Sequence, residues 1–305
     1  MVAPKDFDLI VVGGGSAGYA AARTFHAEGG RVAMVDGAAE LGGLCILRGC
    51  MPSKTLIYSA ETLHLARQGR IFGFDGTSPR ADMAAMQDRK KKVISEFADY
   101  RSGQIKDGRF ELYRAFATFS GPHTLSLSNG ETIRGKKIIL STGSEVRIPP
   151  IDGLADSPFK TSDDVLDLSE VPPECIVLGG GVVACELAQF LARVGSRVTI
   201  LQRSKHLLRE FPRDAAMAVE TAMRGEGIEI LTGVSLDSFI TFGEDKVRVC
   251  YKREGEVGLK ETGFLFLALG RKPAVDRLSP LEVGLDLLPS GHVLTNEFQQ
   301  TNLSH

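Results

Sequence analysis

Apolar and polar positions along the chain spell out one local grammar twice. Phe7 to Val12 is a short apolar, β-branched run and reads as a strand. Gly13-Gly14-Gly15-Ser16-Ala17-Gly18 follows, then Tyr19 to Ala27, a stretch of helix formers that Gly29-Gly30 ends. Arg31 to Val35 reads as a second strand with Asp36 at its tip. The pattern returns 166 residues later. Strand Cys175 to Leu178 leads into Gly179-Gly180-Gly181-Val182-Val183-Ala184, helix Cys185 to Val194, the stop at Gly195, and strand Arg197 to Leu201. Two such βαβ units predict an α/β protein of two doubly wound domains. Ser53 to Gln68 predicts a helix with an apolar stripe at Leu56, Ala60, Leu63 and Leu65-Ala66. Asp82 to Ile105 predicts another, whose Arg89-Lys90-Lys91-Lys92 run reads as a solvated face. Phe110 to Leu140 alternates around turns at Gly121-Pro122 and Asn129-Gly130, and 233–251 has the same texture, so each domain is expected to carry an inserted β-meander. Pro149-Pro150 and Asp152-Gly153 mark a connection. The expected domains are 1–150, with 272–305 returning to it, and 151–271.

The glycine loops carry chemistry. In Gly13-x-Gly15-x-x-Gly18 the first glycine makes the tight turn, the second lets a pyrophosphate approach the backbone, and the third packs helix on strand. Ser16 opens the helix whose N-terminus faces the phosphates. An acid about 20 residues on should hold a ribose hydroxyl, which Asp36 is placed to do. Gly179-x-Gly181-x-x-Ala184 is the second Rossmann-like loop, but its second strand ends in Gln202-Arg203, with Arg209 further on, and no acid. Uncharged Gln plus two arginines removes repulsion and supplies donors for a ribose 2′-phosphate, so NADP is expected there over NAD.

Composition narrows the class. Lys plus Arg is 36, Asp plus Glu is 38, and the net charge is −2 over 305 residues. That balance gives no reason to expect nucleic acid or an anionic membrane, and no apolar run reaches the ~18 residues of a membrane helix. No signal peptide is read at Met1 to Asp8. Five cysteines are too few for a secreted disulfide scaffold, so a reducing, cytoplasmic setting is expected.

Cys45 and Cys50 sit five apart in Gly42-Gly43-Leu44-Cys45-Ile46-Leu47-Arg48-Gly49-Cys50-Met51-Pro52-Ser53-Lys54. In a regular helix that spacing separates them by ~7.5 Å of rise and ~140°, whereas a disulfide wants Cα atoms within about 7 Å. A bond therefore needs an irregular segment, which Gly49 and Pro52 permit. A zinc site needs two more ligands at short spacing, and none is nearby. Two buried free cysteines are the remaining alternative. Cys175, Cys185 and Cys250 are read as core.

GGLCILRGCMPSK resembles the active-site motif of the flavin-dependent pyridine nucleotide-disulfide oxidoreductases: glutathione reductase, dihydrolipoamide dehydrogenase, mercuric reductase. The resemblance spans essentially the whole chain. Ser141-Thr142-Gly143-Ser144 is similar to the family's ATGS segment, and Gly270-Arg271-Lys272-Pro273 to its GRxP segment. It implies that the first loop, with Gly43, holds FAD, that Asp36 (where the family usually has Glu) holds the adenosine ribose, and that the Ala117 backbone meets the adenine. Thr142, Gly143 and Ser144 would line the flavin cofactor. Cys50 would be the flavin-facing thiolate, Cys45 the interchange thiol, and Lys54 a group at the flavin, buried and paired with Glu186. Val234 and Gly270 would lie near the nicotinamide nucleotide. Leu44 and Leu47 replace the family's Thr and Asn, and Val182 replaces a common Tyr.

The implied activity is NADPH-dependent reduction, through FAD and a Cys45–Cys50 redox disulfide, of a disulfide or thiol-reactive metal ion, by a homodimer in the full-length protein. NAD-dependent dihydrolipoamide oxidation and a non-catalytic nucleotide-binding fragment are the rivals. The chain stops before the family's second FAD motif and its dimerisation domain, so a C-terminally truncated, inactive piece is expected. His292 and Glu297 repeat the spacing of that domain's acid–base pair by chance.

Overall fold

The computed structural model describes residues 3–75, 79–243 and 246–305. Glu244 and Asp245, inside the strand-rich stretch expected over 233–251, lie outside them. The chain runs β1 (Lys5–Val12), α1 (Ser16–Ala27), β2 (Val32–Val35), α2 (Gly43–Leu47), α3 (Cys50–Arg67), α4 (Met83–Lys106), β3 (Glu111–Tyr113), β4 (Ala117–Gly121), β5 (Thr124–Leu127), β6 (Thr132–Leu140) and β7 (Ser144–Val146). It continues through α5 (Ser162–Leu166), β8 (Glu174–Leu178), α6 (Val182–Val194), β9 (Arg197–Gln202), α7 (Arg213–Gly225), β10 (Glu229–Thr232), β11 (Val234–Phe242), β12 (Lys246–Arg253), β13 (Glu256–Thr262), β14 (Leu265–Leu267) and β15 (Arg271–Pro273). No helix among the described residues is long and apolar enough to cross a membrane.

Two compact units result: residues 1–47, 94–145 and 271–305, and residues 48–93 and 146–270. The first holds a six-stranded sheet in the order β3-β2-β1-β6-β5-β4. β1 pairs in parallel with β2 and β6, while β4, β5 and the start of β6 form the antiparallel meander. Both faces of β1 are covered, as a parallel sheet requires. Leu9 and Val11 pack with Tyr19, Ala22, Met34, Ile105 and Phe110, and Ile10 and Val12 pack with Phe119, Leu125 and Ile133.

The second unit holds a parallel sheet, β10-β9-β8-β14, and an antiparallel one, β11-β12-β13. Ile176, Leu178 and Leu201 face Phe239, Val247 and Val249 of the antiparallel sheet. Cys175, Val177 and Ile200 face α6 through Leu187, Phe190 and Leu191. Residues 48–93 group with this unit, whereas the sequence expectation set them in the first domain. The reason is packing: Leu56 and Ala60 of α3 and Met83 of α4 are buried in the α6 core.

Two charges expected on solvated surface are structural. Lys90 is 5% exposed; its Nζ donates to the Leu166 carbonyl at 2.7 Å and pairs with Asp167 at 2.5 Å. Arg89 donates to the Thr55 carbonyl at 3.1 Å. A basic run thus solders α4 to α3 and α5 because burying an ammonium requires partners. Arg193, with 11% of its side chain exposed, grips Glu226 at 2.7 Å and also pairs with Glu61. Burial alone pushes the Glu226 carboxyl up, but the hydrogen bonds and charge of Arg193 outweigh it and hold it below the ordinary carboxylate range. A carboxyl depressed in the folded state contributes stability above its unfolded pKa and loses it as pH falls through the folded value. Thermal melts from pH 6 down to pH 3 are expected to show a falling midpoint that Glu226→Gln flattens. Arg193→Met is expected to cost about 3 kcal/mol at neutral pH in denaturant unfolding, since it strands buried charge.

Candidate nucleotide and redox site

In the first unit the functional segments follow β1, β2 and β6, so they share the carboxyl edge of one parallel sheet. Gly13 has φ +104°, and a Cβ there would meet the Ser141 carbonyl oxygen at 2.3 Å. A Cβ on Gly18 would sit 1.9 Å from the Gly13 carbonyl oxygen. Ser16 opens α1, and Gly15 precedes it with no side-chain cap, so the first N–H groups of the helix are left for a ligand. Gly43, at φ +74°, lies against Gly15: a Cβ on Gly43 would come within 2.4 Å of the Gly15 Cα. The cradle exists because neither residue has a side chain.

Asp36 is 9% exposed, and its carboxylate accepts the Gly14 N–H at 2.8 Å and the Ala38 N–H at 2.9 Å. A carboxylate has about four acceptor sites, so capacity remains for ribose hydroxyls. Ala117 is buried at the start of β4 and pairs with Leu127. Gly143, at φ +75°, turns the chain after Thr142, and its carbonyl accepts the Ala274 N–H at 3.0 Å. Arg271 donates to the Ser144 hydroxyl at 2.8 Å and to its carbonyl at 2.7 Å. The GRKP arginine therefore braces the STGS segment, a role that sequence reading missed. These residues fit an FAD-type dinucleotide.

Cys45 lies in α2, half-buried, and α2 ends at Leu47. The helical path breaks at Arg48-Gly49, with Gly49 at φ −133°, ψ −115°, before α3 starts at Cys50. The irregular segment that a bond between these cysteines requires is present. Pro52 falls in the first turn of α3, where its missing N–H costs nothing. Cys50 is an exposed free thiol. Among the described residues no cluster of His, Cys, Asp and Glu could hold a metal ion.

In the second unit Lys54 stands one turn beyond Cys50 on α3. Its Nζ donates to both carboxylate oxygens of Glu186 on α6, at 2.7 and 2.6 Å. The expectation of a buried Lys54 is corrected: 58% of its side chain is exposed, so the pair is fixed by its bidentate geometry and not by the cost of burial. Gly179, at φ +104°, has its would-be Cβ 2.5 Å from the Ala268 carbonyl oxygen, while Gly181 faces open space. Ala184, in the first turn of α6, is 1% exposed. Gln202 is buried at the tip of β9 and donates to Ser204 at 2.9 Å. Arg203 is exposed, and Arg209 pairs with Glu210 at 2.8 Å on the surface, a weak hold. Val234 is 1% exposed, so its side chain belongs to the core. Gly270, at φ +106°, is exposed, and its carbonyl accepts the Arg147 N–H at 3.0 Å.

The other thiols divide. Cys175 and Cys185 are buried, and burial first, then Glu186 and Glu220, pushes Cys185 up to about 11. Cys250 is half-exposed on β12, which corrects its reading as core. A cavity of about 370 Å³ opens beside Val182 and Glu186, floored by Met223 and walled by Phe211 and Val219. A larger one, of about 570 Å³, lies among Asp8, Arg31, His123 and Arg134, near the opposite end of β1 from the glycine loop.

The described architecture is two α/β units, each with a glycine loop at a helix start, and a cysteine pair leading into an ion-paired lysine. The chain belongs to the pyridine nucleotide-disulphide oxidoreductase family, whose sequence profile matches residues 7–305. It is 30% identical over 303 residues to a mercuric reductase of Lysinibacillus sphaericus, covering 99% of this chain and 55% of that one. It is 31% identical over 305 residues to a dihydrolipoyl dehydrogenase of Bacillus subtilis (strain 168), covering 97% and 65%. The HOCl-induced flavoprotein disulfide reductase RclA of Escherichia coli, in its Cu(II) complex, superposes with a TM-score of 0.85 at 27% identity, over 98% of this chain and 64% of that one. The chain thus spans about half to two thirds of the length of these relatives. Gly43→Ala is expected to raise the FAD dissociation constant at least tenfold, read by titration of flavin fluorescence, because the new Cβ displaces Gly15.

Proposed function

We propose that this chain carries the nucleotide sites and redox cysteines of an NADPH-dependent FAD flavoprotein disulfide reductase. The observation that carries the reading is on α3: an exposed Cys50 thiol at its first residue, and one turn on Lys54, held by Glu186. Gly13, Gly15, Ser16, Gly18, Asp36, Gly43, Ala117 and Thr142 to Ser144 would hold FAD. Gly179, Gly181, Ala184, Arg203, Arg209 and the backbone at Val234 and Gly270 would hold NADPH. Bound FAD would supply the two-electron chemistry that links a nicotinamide hydride to the disulfide.

The chain's own residues do the rest. Reduction of the Cys45–Cys50 bond yields a dithiol. The Cys45 thiolate attacks one sulfur of the substrate disulfide; that S–S bond breaks, and the first product thiolate leaves and takes a proton. The Cys50 thiolate then attacks the Cys45 sulfur, releases the second product thiol and restores the Cys45–Cys50 bond. One NADPH, one proton and one disulfide give NADP⁺ and two thiols. Glu186 holds the Lys54 ammonium in a fixed direction through two hydrogen bonds, and Gln202 leaves the tip of β9 uncharged where an acid would repel a 2′-phosphate. The homodimer and the reducing, cytoplasmic setting belong to this proposal.

In the full-length protein NADPH is expected to exceed NADH in kcat/KM by about tenfold or more. Each charge-assisted contact is worth ~1.5–3 kcal/mol, and ~1.4 kcal/mol is a factor of ten. Arg203→Ala is expected to erase most of that ratio. Equal efficiency with the two coenzymes would sink the NADP assignment and favour the NAD-dependent dihydrolipoamide branch.

A further inference from the structure

Arg48 stands between the two cysteines, and nothing in the reaction above uses it. In the run Cys45-Ile46-Leu47-Arg48-Gly49-Cys50 it is the single charged residue, and Ile46, Leu47 and Gly49 offer no polar side chain. Its side chain is 66% exposed, and its ion-pair partner among the described residues is Asp163, at 3.6 Å. That separation is longer than a hydrogen bond, so the five guanidinium donors are left unsatisfied by Asp163. An exposed pair of this kind contributes little and exchanges readily. The next cation on this stretch, Lys54, is committed bidentately to Glu186. Arg48, two residues before the exposed Cys50, is therefore a cation that Asp163 does not hold at hydrogen-bond distance, and its planar fork matches a carboxylate where a lysine would not.

We propose that Arg48 selects the substrate of the redox site by recognising a carboxylate on an anionic disulfide, which displaces Asp163 from the guanidinium. The inference rests on the reductase reading and names its substrate class. No new covalent step is involved. The substrate's charge is read at Arg48, while its sulfurs undergo the exchange already described.

Two matched pairs of probes test it. Lipoate and lipoamide share one disulfide ring and differ in charge. In the full-length enzyme with FAD and NADPH, the lipoate/lipoamide ratio of kcat/KM is expected to fall about tenfold in Arg48→Gln and to recover partly in Arg48→Lys. It is expected to rise in Asp163→Asn, which frees the guanidinium. Iodoacetate and iodoacetamide likewise differ in charge, and they need no turnover. In this chain the ratio of their alkylation rates at Cys50, read by mass spectrometry, is expected to fall roughly three- to fivefold in Arg48→Gln, the scale of one unit charge about 4–6 Å away in water. High salt is expected to remove the difference. Unchanged ratios in Arg48→Gln overturn the proposal. So does a parallel fall in Asp163→Asn, which would make the pair a structural tether. An enzyme that reduces neither lipoate nor lipoamide counts against the reductase reading, and the alkylation ratio then decides on Arg48 separately.

Discussion

The position of Cys50 depends on how α3 lies against α6. The two helices meet through Leu56 and Ala60 on one side and Ala184, Leu187 and Ala188 on the other, all of them buried. Small residues on both faces let the helices approach closely, and charged clasps fix their register. Lys54 pairs with Glu186, and Glu61 pairs with Arg193. Each pair is separated from the other by seven residues on both helices, so the helices run in the same direction and in step over two turns. Arg67 adds a hydrogen bond to the Arg193 carbonyl at 2.7 Å. A slip of one turn, ~5.4 Å, would break both clasps and strand Arg193, whose guanidinium is nearly buried. The Cys50 thiol at the start of α3 and the glycine loop at the start of α6 are thereby held in one frame.

Steric exclusion does for the first unit what packing does for the second. A side chain at Gly13 or Gly18 would collide with backbone, and one at Gly43 would collide with Gly15. These contacts bring the β1 loop, the segment after β6 and the start of α2 together without any side chain between them. Asp36 then ties β2 to the loop through the Gly14 N–H, while the Ala38 N–H, just past β2, holds its other carboxylate oxygen. A carboxylate whose first task is to order a loop is also pre-oriented for a ligand, because its conformational entropy is already lost on folding.

Much of this was legible in the sequence because it is written locally. The two glycine loops, their flanking strands and the capless helix starts are short-range patterns with one stereochemical meaning. The break at Gly49 follows from the spacing of the cysteines. What the sequence hid is long-range. Lys90 sits in a run of four cations that local reasoning assigns to water, yet its ammonium is buried against Leu166 and Asp167, far along the chain. The placement of α3 with α6 has the same character: the apolar stripe of α3 declares a buried face but does not name its partner. The Arg271 brace on Ser144 joins two motifs each visible alone, 127 residues apart. Lys54 erred in the other direction, since the paired lysine proved exposed.

Stability and function are traded at the helix starts. The residues preceding α1, α3 and α6 are Gly15, Gly49 and Gly181, and none caps its helix with a side chain. A Ser, Thr, Asp or Asn there would satisfy one of the orphan N–H groups and add about 1 kcal/mol to each helix. At α5, which the proposed chemistry does not use, Thr161 precedes the helix and forms a capping box: its side chain accepts the Asp164 N–H, and the Asp164 carboxylate accepts the Thr161 N–H at 2.6 Å. A side-chain oxygen at Gly15 or Gly181 would occupy the donors that a pyrophosphate needs, and a Cβ would fill its path. At Gly49 it would compete for the N–H groups at the start of α3, the helix that Cys50 opens. Under the proposed function, the uncapped starts are a cost carried where a negative charge would be received. The stabilising polar contacts lie instead at Lys90, Arg193 and Arg271, away from these helix starts.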